Sequence, residues 1–314
     1  MAAAVLMKEL QVWLRRPATF GLYTLLVLAT GGVIVLGTAT VLSQGIGPVP
    51  ALFSTGVAAN TGVTTLLTAY RALWLFLVGA LCLLLAASLV APAIASAAIQ
   101  GEREAGTLEL VLSTGISPLS LVLGKLAGSA AFVLLLLATT VPVFAAAWLF
   151  GGVTLAEAAP VLLVVVVSVL LFAALGVLFS TFVPSSLAAA LYAYLVVHLL
   201  TLGTAAIFLL ASAVRLGDTF APLVYLNPYL AILAASEPMR QDLSSLLPLS
   251  QRSLLPAPPQ QLFGMVVAIP HWAATAALYS LATLILVFAS AVIVDPLHPL
   301  KTRRLRAWKG SPPS

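Results

Sequence analysis

The sequence predicts an all-α integral membrane protein of about six transmembrane helices, with one short cytoplasmic helix between the second and third. Three observations carry that expectation. Of 314 residues, 62% are hydrophobic and only 7% are charged, whereas a soluble domain carries roughly 25% charged residues. Six apolar runs, at about 18–42, 73–99, 118–149, 158–183, 187–212 and 264–294, are each long enough to cross about 30 Å of hydrocarbon as a helix. Lysine and arginine fall beside these runs and are unevenly divided between the two sides they would define. With an even number of spans both termini share a side, and that side holds Lys8, Arg15, Arg16, Arg103, Lys125 and five cations from Lys301 to Lys309, ten in all. The other side holds four, Arg71, Arg215, Arg240 and Arg252. Cations are retained in the cytoplasm during insertion, so both termini are expected there.

The elements follow in order. Residues 1–17 form a cytoplasmic N-terminal segment, and the apolar run after it is too long for a cleaved signal, so the first span stays as an anchor. Residues 51–70 are apolar but rich in Thr and Gly and are expected as an outer loop or interfacial helix, because a seventh span would reverse the charge bias. The six-helix domain covers 18–294, with a cytoplasmic segment at 100–117 and a Pro-rich outer segment at 213–263. The tail, 295–314, is basic and carries Trp308, which suits a stop-transfer anchor resting on lipid headgroups.

Gly101 to Lys125, GEREAGTLELVLSTGISPLSLVLGK, contains the most local signals. Gly106 interrupts the helix arriving from the second span. Thr107 is placed to N-cap a new helix over 108–114, with Glu109 in the first turn, where the dipole favours an anion. Gly115 suits the position just past its end, and Ser117-Pro118 reads as an N-cap followed by proline at the first position of the third span. Leu108, Val111 and Leu112 share a face and Glu109 points elsewhere. By these signals alone the helix either docks on a partner or lies on lipid headgroups.

The run Glu102-Arg103-Glu104-Ala105-Gly106-Thr107-Leu108-Glu109-Leu110-Val111-Leu112-Ser113-Thr114, followed by Ile116-Ser117-Pro118 and Gly124-Lys125, resembles the signature of membrane subunits of type-2 ATP-binding-cassette (ABC) exporters. Pro92, Pro142 and Asn227-Pro228 are similar too, while Val111 and Gly115-Ile116 depart from the usual Leu and Pro. The resemblance implies a permease with a coupling helix that presses into a separate cytoplasmic ABC ATPase, which would use ATP and Mg. It also implies a second permease copy or paralogue and a bacterial-type cytoplasmic membrane. Glu102, Arg103, Glu104, Gly106, Thr107, Leu108, Glu109 and Leu112 would then serve the ATPase contact.

Other chemistries fit less well. Gly124-Lys125 lacks the leading glycine and trailing Ser or Thr of a phosphate-binding loop, so Lys125 is expected to snorkel to the interface and ATP hydrolysis to lie in another chain. His198 and His271 stand outside any H-E-x-x-H pattern, no G-x-S-x-G occurs, and three histidines with one cysteine, Cys82, offer no metal cluster. The basic residues accompany spans without a nucleic-acid motif. The span centres hold no Asp, Glu, Lys or Arg, unlike most ion-coupled carriers. His198, with Tyr192 and Tyr194, is a candidate for lining a path, and a hydrogen bond from His198 to a neighbouring helix is the structural alternative. An ATP-independent carrier or a membrane scaffold is the alternative function.

Overall fold

The computed structural model describes residues 61–138, 153–213, 221–235, 260–262, 265–267 and 270–294, with isolated positions between 5 and 32 and at 141. The N-terminal segment, most of the first span, residues 51–60, Pro142 and the tail lie outside the described residues. Helices run in the order α1 Thr61–Glu104, α2 Leu108–Ser113, α3 Pro118–Ala138 and α4 Leu155–Phe182. The next span is α5 Ser186–His198, a π turn Leu199–Gly203 and α6 Thr204–Ala213. A 3-10 turn Ala221–Leu226, α7 Pro228–Leu233 and α8 His271–Val294 follow. A small antiparallel hairpin pairs β1 Gln260–Leu262 with β2 Met265–Val267, Gln260 opposite Val267 and Leu262 opposite Met265.

Five stretches are long and apolar enough to cross a membrane: Phe76–Glu104, Pro118–Ala138, Leu155–Phe182, Ser186–Ala211 and His271–Val294. They correspond to the predicted second to sixth spans. α1 is 44 residues long, about 66 Å at 1.5 Å per residue. Residues 61–70, expected as an outer loop or interfacial helix, are instead its opening turns. Thr and Gly each cost a helix only about 0.5–1 kcal/mol, and adding turns to a helix already formed is easier than nucleating one. The last helix departs in the other direction, beginning at His271 where 264 was expected, with Met265–Val267 in a strand. Pro270 sets that limit: its carbonyl accepts from the N–H groups of Ala273 and Ala274, while its ring disfavours helical backbone in the preceding residue.

α4 is the central helix. In its most apolar window 72% of residues are buried, against 28% in the fifth and sixth spans. It packs on α1, α3, α5, α7 and α8, around a core that includes Leu84, Ile99, Leu136, Phe172 and Ile232. Gly176 lets α1 and α4 approach closely, since a Cβ there would lie 2.6 Å from Ala95 Cβ and 3.1 Å from the Pro92 carbonyl oxygen. Pro92 lacks an N–H and crowds the turn before it, and the Tyr194 hydroxyl donates to the carbonyl of Leu89 in that turn. Neighbouring hydroxyls commonly satisfy backbone groups loosened by proline within a membrane helix.

The segment expected on the outside also enters the helix bundle. Asn227 is 1% exposed. Its Nδ2 donates to the Thr201 carbonyl at 2.6 Å and to Thr204 Oγ1 at 3.1 Å, and its Oδ1 accepts from the N–H groups of Tyr229 and Leu230. One side chain thus caps α7 and satisfies a carbonyl within the π turn. The Thr275 hydroxyl donates to the Tyr225 carbonyl and the Tyr279 hydroxyl to that of Leu226, fastening the 3-10 turn to α8. His271 is buried and stacks on Tyr225 with ring centroids 4.9 Å apart.

Candidate functional site

The helical elbow between α1 and α3 is built by two glycines. Gly106, at φ +69°, closes α1: its N–H donates to the Arg103 carbonyl and the Thr107 N–H to the Glu102 carbonyl. This is the paired bonding of a Schellman end, which needs a left-handed residue at that position. Gly115, at φ +78°, closes α2 in the same conformation, and Ser117 starts α3 by accepting the Ser120 N–H on its hydroxyl. α2 therefore exists where the glycine and serine signals place it. Thr107 departs from expectation: it stands before α2 with helical backbone angles, and its hydroxyl donates back to the Glu102 carbonyl at 3.2 Å without capping α2. A capping side chain needs extended backbone to reach forward, and the Schellman turn has already set Thr107 otherwise.

The two faces of α2 have different surroundings. Leu108, Val111 and Leu112 pack, with Ile116, against the core of the same chain. Thr107, Glu109, Leu110, Ser113 and Thr114 are exposed, Leu110 at 68%. The apolar triplet that marked the helix as a docking element thus docks it onto its own protein. Leu110, which the i, i+3, i+4 pattern passes over, is the large apolar side chain on the free face.

The charged residues at the base of the elbow are engaged internally. Glu102 Oε1 lies 2.6 Å from Lys125 Nζ, with side chains 13% and 3% exposed. Lys125 does not snorkel: it is buried, because a carboxylate from α1 meets it between the helices. Arg103 donates to Gln100 Oε1 at 3.0 Å and to the Thr181 carbonyl at 2.7 Å. Glu104 Oε1 accepts from the Ser186 N–H at 2.9 Å and the Ser186 hydroxyl at 3.1 Å. Gln100 donates to the Pro184 carbonyl at 2.6 Å, and Ser180 Oγ accepts from the N–H groups of Ile99 and Gln100. Gln100 and Ser180 were missed in the sequence, where the polar run Ser180-Thr181 and Pro184-Ser185-Ser186 at a span boundary was the available signal.

A family profile described as ABC-2 family transporter protein matches residues 3–294, nearly the whole chain and all of the elbow. The chain belongs to this family. Among curated proteins none matches it. As an ABC-2 family protein with five described spans, it is a multi-pass transmembrane protein of the transporter permease type.

The second group of candidate residues in this ABC-2 protein lies along the first half of the fifth span, Ser186–His198. Tyr192 is 52% exposed and its ring stacks on Phe179 at 5.9 Å. Tyr194 is committed to Leu89, and His198 Nδ1 lies 2.9 Å from the Tyr194 carbonyl. Among the described residues His198 therefore bonds within its own helix, as a residue four positions from a carbonyl on the same face can. A cavity of about 410 Å³ lies away from these residues, between α1, α3 and α4 at the end opposite the elbow. Phe76, Leu83, Leu134, Val153 and Val166 line it, with Thr154 at its edge. Among the described residues no group of three His, Cys, Asp or Glu is placed to hold a metal ion.

Proposed function

We propose that this chain is the membrane-spanning subunit of an ATP-driven ABC-2 exporter and that a separate cytoplasmic ATPase, using ATP and Mg, drives it through the elbow. The observation that carries the reading is the free face of α2, where exposed Leu110 stands beside exposed Glu109 on a helix anchored from behind. A rigid helix presenting one apolar knob and one anion suits an apolar socket with a basic rim on a partner. In this reading Glu102, Arg103, Glu104, Leu108 and Leu112 support the contact from within the chain, and Gly106, Thr107, Glu109 and Leu110 meet the partner.

The elbow would face the cytoplasm of a bacterial-type cell membrane, with both termini on the same side. A second permease copy or paralogue would complete the path, and lipid would surround the pair. The apolar cavity and the uncharged span centres favour an apolar or amphipathic cargo over a strongly charged one.

The test is to purify the chain in mild detergent, with neighbouring genes coexpressed, and measure the ATP-hydrolysing subunit that accompanies it. Glu109→Lys combined with Leu110→Asp is expected to reduce the copurified ATPase at least tenfold while the permease stays folded. If no ATPase accompanies the unaltered chain, the carrier or scaffold reading replaces this one.

A further inference from the structure

Arg103 and Glu104 are consecutive residues at the end of α1, and each contacts a different helix end. Arg103 donates to the Thr181 carbonyl, one of the last four of α4, which have no partner within that helix. Glu104 accepts the Ser186 N–H, the first of α5, while Ser185 caps the same helix through the Ala188 N–H. A cation therefore sits at the negative end of α4 and an anion at the positive end of α5, the arrangement that helix dipoles favour. The three residues between the helices, Val183-Pro184-Ser185, are spanned by this pair and held again by the bond from Gln100 to Pro184.

We infer that Arg103 and Glu104 are positioning residues that staple the elbow to the turn joining the fourth and fifth spans, so that elbow and turn move as one body. The inference deepens the proposed function and rests on it only for the source of the movement: a push on α2 would be delivered to the fourth and fifth spans at 181–186. It also changes the chemistry required of Glu104. As a staple, Glu104 needs an acceptor oxygen near Ser186. As a charged contact to an ATPase, it would need its negative charge.

That difference gives the experiment. Spin labels are placed at Ser113→Cys on the exposed face of α2 and at Leu187→Cys, 73% exposed at the start of α5, with the single native cysteine removed as Cys82→Ala. The distance distribution between them is measured in lipid nanodiscs. A narrow distribution is expected for the otherwise unaltered chain and for Glu104→Gln, whose amide oxygen still accepts. Its width should at least double in Glu104→Ala combined with Arg103→Ala, while unchanged thermal unfolding of the other spans shows that the chain is folded. An unchanged width in the double variant, or a Glu104→Gln chain as broad as the double variant, overturns the staple. The measurement needs no partner, so absence of a copurifying ATPase would remove the proposed function and leave this result to be decided separately.

Discussion

The start of the fifth span and the break within it are held by opposite chemistry. At the elbow end, ionised side chains from α1 and α3 meet each other and helix termini: Lys125 with Glu102, Arg103 with Thr181 and Glu104 with Ser186. About 22 Å further along, at 1.5 Å per residue from Ser186, the π turn at 199–203 is held by the neutral amide of Asn227 and the hydroxyls of Thr201 and Thr204. Ions are affordable where headgroups and water lie near. Deep in hydrocarbon an unpaired charge costs several kcal/mol, whereas an amide with all four of its hydrogen-bonding positions used costs little. This fold thus uses charge to join helix ends and neutral amide or hydroxyl groups to stabilise breaks within a helix.

The largest effect is expected at Lys125. Lys125→Met leaves Glu102 without its buried counter-ion and is expected to destabilise the chain by about 3 kcal/mol. Adding Glu102→Met should recover most of that loss, as read by thermal unfolding in detergent. No recovery would mean that the elbow end depends on the charges themselves and not on their cancellation. Asn227→Ala comes next, at about 2 kcal/mol, because it removes the cap of α7 and the closer of two side-chain donors to the Thr201 carbonyl. Asn227→Asp should be no better, since the lost amide N–H groups are the donors required. Full stability of either variant would show that the π turn holds without Asn227. The smallest effect is expected at Thr107, where Thr107→Ala should change stability by no more than about 0.5 kcal/mol, because its side chain caps nothing in α2. A loss above about 1 kcal/mol would show that the bond back to Glu102 matters more than its exposed geometry indicates.

Much of the elbow was legible beforehand. Gly106, Gly115 and Ser117-Pro118 act through local backbone geometry, which neighbouring residues largely determine, so their places in the sequence marked the short helix to within one residue. Partners on different helices were not legible. That Glu104 would meet Ser186, or Lys125 be buried by Glu102, depends on which helices lie side by side, and the apolar spans are too alike in composition to indicate their neighbours. The same cause hid what covers the apolar stripe of α2, which announces burial without naming the surface that buries it.

Local sequence sets the membrane class, the approximate positions of the described spans and the elbow, because hydrocarbon thickness and glycine and proline geometry act on contiguous residues. The packed fold sets which face of α2 is free, turns Arg103 and Glu104 inward onto the 181–186 turn, and brings Asn227 into the bundle to hold the fifth span. These depend on packing between distant segments, where one helix supplies the group that another helix's end or break leaves unsatisfied.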